Sequence, residues 1–386
     1  SVQEHLAAKR PYPNYLLEDS CRIANPAQSF QALTVGSISL ASYHALSSAS
    51  ISQKDKPSSF SCSGLGIWET IKPEVVEYGG DFVKDEGTPP NLTYPKEVCP
   101  ELVRSTLNGG PAVAADKVGT SFAAPKVTHI AACLAAELPD ESCLLYRALI
   151  VQSARWPEWT RADNIEKLHV IRQIGYGIPN IDRALGNSLN RITLITTGNR
   201  RINARQAHVY QVKLPEELRT QGEGHEILVE VTLSYKVQPR RTRRNRRKYL
   251  STWLDWDCSK KGEDPEKFLA RILKEYDATD NSEKGETVFQ WTIGKKSKNY
   301  GKIDGVSRSA GTVQKDWTVV KSFELREAFC IAVVGHEGWN NDPDAEAPYS
   351  LVISFEAIAS NIPIYTPFVQ AQFVIELKQQ VEINSI

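Results

Sequence analysis

Apolar positions follow two different rhythms along this chain, and the rhythm changes after Gly186. Before it, a strand-like run, ALTVGSI (residues 32–38), alternates with helical runs, THIAACLAAEL (128–138) and SCLLYRALIVQSA (142–154). That alternation predicts a parallel α/β sheet with covering helices. Asp140 is the expected N-cap of the second helix, which then ends near Trp156 and Pro157. After Gly186 come seven short runs rich in β-branched and aromatic residues: 191–202, 206–215, 225–237, 286–294, 316–325, 329–336 and 349–358. Gly, Pro, Asn and Asp separate them, and several alternate with period two. They predict an antiparallel β-sandwich or jelly-roll. One helix interrupts it, with Asp264 as cap, Pro265 in the first turn, and Phe268, Leu269, Ile272, Leu273 and Tyr276 along one face. The expected layout is therefore two domains, 1–189 and 190–386.

Composition narrows the picture only a little. With 386 residues, 41% of them hydrophobic, the chain can build two sizeable cores. Its 46 basic and 46 acidic residues balance, so no overall field favours nucleic acid or a membrane surface. No apolar run approaches the ~18 residues of a membrane helix. Residues 1–15 lack the apolar core of a signal peptide. The seven cysteines (21, 62, 99, 133, 143, 258 and 330) show no C-x-x-C spacing, so neither a disulfide framework nor a zinc site is expected. Cys133 and Cys330 sit in apolar runs and read as buried hydrophobes. This usage favours the cytoplasm, with secretion as the alternative. Methionine is absent, where average usage predicts about eight residues.

The most restrictive stretch is GTSFAAP, residues 119–125, feeding an alanine-rich helix. It sets Ser121 in the first turn, where unpaired backbone N–H groups and the positive end of the helix dipole favour a developing oxyanion. Ala123 and Ala124 are small enough for the helix to lie deep in a core. Pro125 is expected in the first turn, where its missing N–H has no helical partner.

This string resembles the nucleophile motif of the subtilisin-like serine peptidases, and five further segments agree in family order. NPAQSFQALTVGSI (25–38) resembles the family's NPA turn and following strand, and SSFSCSGLG (58–66) its FSS-x-G turn. IKPEVVEYGGDF (71–82) resembles its KPDVVAPG segment. LLYRALIVQSA (144–154) and GYGIPNIDRAL (175–185) are similar to segments that close the peptidase domain. The resemblance covers about the first 190 residues. It implies a partial subtilisin-like parallel sheet, Ser121 as nucleophile, and the Ser121 N–H as one oxyanion donor. Gly119, Thr120 and Pro125 would support the motif, and Phe60 would lie on the leaving-group side of the cleft. Many members also carry an appended β-sandwich. Residues 311–320 and 329–339 resemble the C-terminal region of a bacterial subgroup.

One part of the family pattern is missing. Subtilases place their catalytic Asp and His ahead of the serine. Here only His5 and His44 precede Ser121, and neither opens an HGT-type helix. Asp19, Asp55, Asp81, Asp85 and Asp116 lack the DTG or DSG setting, and the oxyanion asparagine is absent. Tyr12, Pro13 and Tyr15 resemble the stretch that follows that asparagine, so the chain reads as beginning just after it. His129 lies two turns beyond Ser121 on the same helix, about 12 Å away by rise, too far to be the base. Acting alone the chain is expected to be inactive, since loss of the base in such a site costs on the order of 10⁶-fold in turnover.

The expected function is thus a serine endopeptidase acting on polypeptides, with Asp and His supplied by a missing N-terminal part and a regulatory protein as a further expected partner. The alternatives are a pseudopeptidase and an adaptor for protein or nucleic acid. PRRTRRNRRK (239–248), with seven basic residues, motivates the last, but a solvated loop is the simpler reading. His336, Glu337, Trp339, Asp342 and Asp344 suggest a metal loop less well than a polar turn between strands. No cofactor is expected. Calcium is common in the family, but no acidic loop here has a recognisable ligand pattern.

Overall fold

The computed structural model describes residues 1–45, 47–93, 99–103, 117–213, 224–240, 249–277, 289–295, 303–325, 328–358, 364 and 377–382. Asp116 and most of the arginine-rich run, 241–248, lie outside them. By its contacts the chain divides into two compact units, Ser1–Cys133 with Ser153–Ile181, and Leu134–Gln152 with Asp182–Ile386.

In the first unit, α1 (Val2–Ala7) precedes β1 (Val35–Ile38), β2 (His44–Ala45), β3 (Ser48–Ser50), β4 (Val75–Tyr78), β5 (Val83–Asp85) and β6 (Leu92–Thr93). β1 and β4 pair in parallel, in register from Val35↔Val75 to Ile38↔Tyr78. Ile38, Val75 and Val76 are fully buried, as expected for strands covered on both faces. The remaining four strands form an antiparallel sheet in the order β2-β3-β5-β6. The parallel sheet foreseen for this region is therefore a single strand pair among the described residues, and the neighbouring short strands pair antiparallel.

Four helices follow: α2 (Thr120–Glu137), α3 (Cys143–Ser153), α4 (Lys167–Ile174) and α5 (Ile181–Leu185). Val170 and Ile174 of α4 pack on Ile38 and Val76, with Trp156 and Trp159 alongside. Ahead of β4, Lys72 and Glu74 form a buried ion pair. The Lys72 ammonium also donates to the carbonyl of Ala32 at 2.9 Å, and Glu74 accepts from the Thr34 N–H at 2.7 Å. These bonds tie the KPE segment to the entry of β1. Asp140 is not the cap of α3: the helix starts three residues later, where Ser142 O accepts from the N–H groups of Leu145 and Tyr146. Asp140 lies in the intervening turn.

The second unit contains β7 (Arg191–Ile195), β8 (Arg200–Asn203), β9 (Gln206–Lys213), β10 (Glu226–Tyr235), β11 (Thr252–Cys258), α6 (Pro265–Asp277), β12 (Val313–Lys321), β13 (Ala328–Glu337), β14 (Glu346–Ala357) and β15 (Leu377–Glu382). One antiparallel sheet runs β12-β10-β14-β7, with β8 also pairing to β14, and the other runs β11-β13-β9-β15. Side chains of the two sheets meet. Phe329 sets its edge against Phe355 at 5.8 Å, Gln314 donates to the carbonyl of Leu254 at 2.6 Å, and His208 bonds the Tyr349 hydroxyl at 2.8 Å.

Helix α3 belongs to this unit through Gln152. Arg147 donates to Ser234 Oγ (2.9 Å) and to the carbonyls of Tyr235 (2.7 Å) and Thr312 (3.0 Å). Helix α6 follows the expected design: Asp264 Oδ1 accepts from the Glu266 N–H at 2.9 Å, and Phe268 and Ile272 pack on Ala207, Val209 and Cys330. The run at 286–294 is the exception. Of its described part, Ile293 and Gly294 give their N–H groups to the Asp316 carboxylate rather than to a ladder, so no extended strand forms there. Cys133 is half-exposed rather than buried. Among the described residues no helix is long and apolar enough to cross a membrane.

Candidate active site

Ser121 is placed by two glycines that end a strand. β4 runs out at Tyr78, and the next residue, Gly79, accepts a hydrogen bond from the Gly119 N–H at 2.8 Å. A Cβ at Gly79 would lie 2.2 Å from Ser37 Oγ and 2.6 Å from the Gly119 carbonyl. Gly80 adopts φ +75°, and a Cβ there would lie 2.0 Å from the carbonyl of Glu101. Only glycine lets the turn before α2 come this close. The start of α2 therefore sits at the carboxyl end of the parallel pair, the usual location of ligand sites in α/β sheets.

From there the helix rises with Ser121 exposed in its first turn. The Phe122 N–H bends back to Gly119 O at 3.0 Å. Among the described residues the N–H groups of Thr120 and Ser121 have no backbone partner, the condition expected of an oxyanion donor. The helix is less deeply set than its composition suggests. Ala123, Val127, Ile130 and Leu134 are buried, while Thr128, Ala132, Ala135 and Ala136 are exposed and Ala124 is half-buried. Pro125 stands at the sixth helical position, in the second turn rather than the first. It has no N–H to offer the Ser121 carbonyl four residues back.

The turn at 58–63 is held by serines. Ser58 Oγ donates to Gly80 O at 2.7 Å and meets Ser37 Oγ at 2.7 Å, and the Ser37 N–H donates to Ser61 Oγ at 3.1 Å. Two buried carboxylates close the network. Asp81 accepts from the Ser52 N–H (2.6 Å), the Ser59 N–H (2.8 Å) and Ser59 Oγ (2.6 Å). Burial pushes its pKa up to about 6, against the lowering effect of those bonds. Glu101 accepts from Ser39 Oγ (2.7 Å), Ser50 Oγ (2.9 Å) and the Leu40 N–H (3.2 Å), and burial raises it too. Sequence reading missed the structural role of both. The FSS turn beside the GGD triplet was the available signal, since it puts hydroxyl donors and an aspartate in regions the family brings together.

The other sequence candidates fall apart from Ser121. Phe60 is half-buried with its edge on Phe82 at 5.1 Å. His129 is exposed farther along α2, its Nε2 3.8 Å from Cys133 Sγ. His44 is exposed on β2, and His5 is buried against Tyr15 with ring centroids 4.4 Å apart. Asp55 accepts from the Tyr78 hydroxyl at 2.7 Å, Asp19 pairs with Arg22 at 3.0 Å, and Asp85 caps its own loop through Gly87 and Asn91. Among the described residues, no side chain bonds the Ser121 hydroxyl, and no group of three or more His, Cys, Asp or Glu is arranged to hold a metal ion. His336 and Glu337 belong to β13 rather than to a turn. His336 stacks on Trp253 at 3.7 Å and bonds Asp255 at 2.9 Å.

Residues 16–177 match the sequence model of the subtilase family. The chain is also 30% identical, over 246 residues, to an uncharacterized protein, y4bN, of Sinorhizobium fredii (strain NBRC 101917 / NGR234). The match covers 60% of this chain and 55% of that protein, so the chain spans about half the length of the curated relative it matches. Strand pair, glycine turn and serine-bearing helix all lie within the matched segment, which is similar to the subtilase family.

Proposed function

We propose that the protein is a serine endopeptidase in which Ser121 is the nucleophile and the Ser121 N–H one oxyanion donor. The observation that carries this reading is the seat of Ser121: exposed, in the first turn of α2, and docked through Gly119 on the end of β4. In the reaction so inferred, Ser121 Oγ attacks the scissile carbonyl of a polypeptide. An imidazole takes its proton and passes it to the leaving amine, while a carboxylate orients that ring. The growing negative charge on the carbonyl oxygen falls at the positive end of α2. Imidazole, carboxylate and second oxyanion donor come, in this reading, from a part of the peptidase domain not included in residues 1–386. The second unit acts as an appended domain. The test is hydrolysis of an unfolded polypeptide by the full-length protein. Ser121→Ala is expected to lower turnover by on the order of 10⁶-fold, and unchanged turnover would overturn the assignment.

A second reading has its own support. No histidine of the described residues bonds Ser121, and the alternative reading is a pseudopeptidase that uses the fold to bind polypeptide. The same assay separates the two, because a pseudopeptidase gives no turnover with Ser121 intact. The full-length sequence does so independently: a pseudopeptidase lacks an Asp and an HGT-type His ahead of residue 1.

A further inference from the structure

Two cysteines and a histidine meet in a pocket that the peptidase reading does not use. The pocket, about 550 Å³, is lined by His5, Tyr15, Cys21, Phe60 and Cys62 among others. That volume is in the range of small-molecule sites. Cys21 and Cys62 are brought together by the backbone. Arg22 and Ser63 form a parallel bridge, with the Ile23 N–H donating to Ser63 O (3.0 Å) and the Ser63 N–H to Cys21 O (2.9 Å). Each cysteine directly precedes a bridged residue, so they oppose one another across a chain spacing of about 4.8 Å. Disulfides span Cα distances of roughly 4.4–6.8 Å. Both thiols are free, Cys62 is exposed and Cys21 half-exposed.

His5 completes the group. It stacks on Tyr15 with the rings 10° from parallel, and Tyr15 is itself fixed by its hydroxyl donating to Ser59 O at 2.8 Å. This holds His5 Nε2 at 3.4 Å from Cys21 Sγ. His5 is only 7% exposed, and its Nδ1 is buried without a partner among the described residues.

We propose that Cys21, Cys62 and His5 form a thiol–disulfide exchange site whose substrate is a low-molecular-weight disulfide. Cys21 gives its proton to His5 Nε2, and its sulfur attacks one sulfur of the small disulfide. That S–S bond breaks, a mixed disulfide forms on Cys21, and one small thiol leaves with the proton. Cys62 then attacks Cys21 Sγ and expels the second small thiol, which carries away the Cys62 proton. Two electrons pass from the protein thiols to the small disulfide. The product crosslinks the segment before Arg22 to the turn carrying Phe60, so the pocket changes shape with its oxidation state. None of this depends on Ser121.

The experiment uses the reduced full chain, glutathione disulfide as probe, alkylation of the remaining thiols, and non-reducing peptide mapping by mass spectrometry. A link between the Cys21 and Cys62 peptides is expected. Cys62→Ser is expected to trap a stable glutathione adduct on Cys21, and His5→Gln to slow alkylation of Cys21 about tenfold relative to exposed Cys143. Two results overturn the proposal: glutathione on Cys143 or Cys133 in preference to Cys21, or a Cys62→Ser protein that carries no adduct. If His5→Gln fails to fold, the trapping experiment decides by itself.

Discussion

Gly79 and Gly119 are joined by one backbone hydrogen bond, 2.8 Å from the Gly119 N–H to the Gly79 carbonyl, and that bond seats the serine helix on the parallel strands. The contact leaves no room for a side chain. Gly79→Ala would drive a methyl group into Ser37 Oγ and the Gly119 carbonyl. The expected cost is about 1–3 kcal/mol of stability, measured by urea denaturation, with a parallel loss of Ser121 reactivity. Gly186→Ala is the control, because a Cβ there meets only the Asp182 carbonyl at 3.8 Å. Equal effects from the two substitutions would show that the docking contact does not hold the turn.

Asp81 makes stability depend on pH with a definite sign. Its pKa stands at about 6 in the folded chain, above the ordinary aspartate value of 3.8. Between those limits the folded protein retains a proton that the unfolded chain has released. The contribution is therefore complete below pH 3.8, declines as pH rises toward 6, and is flat beyond. Its size is about 3 kcal/mol. Burial also raises Glu101, which adds in the same direction. In Asp81→Asn the decline between pH 4 and 6 should flatten, measured as the difference between variant and parent unfolding free energies across that window. Parallel curves would contradict the assignment.

Lys315 and Glu230 form a buried ion pair at 2.9 Å, and Lys315 also donates to the Gln152 carbonyl at 3.0 Å. The pair joins β10, β12 and α3 within the second unit. Lys315→Met strands the Glu230 carboxylate in a nearly water-free site and should cost about 3–5 kcal/mol in chemical denaturation. Combining it with Glu230→Gln should restore much of the loss, because the carboxylate charge that Lys315 balances is then gone. A double variant weaker than the single one would show that the charges themselves do not set the cost.

Legibility differed between local and long-range features. The serine helix, the cap and apolar face of α6, and most strands of the second unit follow from spacings within ten or so residues, and those patterns carry directly into the structure. What escaped depends on distant partners. Asp81 and Glu101 are bound by groups 22 to 62 residues away. Two aspartates interrupt the apolar alternation of β11, yet Asp255 is buried between Lys295 and His336. The reverse happened at 286–294, where Phe289, Trp291 and Ile293 alternate properly and are buried, but Asp316 takes the N–H groups a ladder would need. For the candidate site, GTSFAAP was enough to locate Ser121 in the first turn of its helix. The glycines that dock it became meaningful only once Gly79 and Gly119 were seen face to face.

The central claim concerns the reactivity of one hydroxyl, and a fluorophosphonate probe reads it directly. Treating the full-length protein and mapping the adduct by mass spectrometry should place the phosphonyl group on Ser121, with no labelling in Ser121→Ala. A probe adduct that persists undiminished in Ser121→Ala would contradict the account.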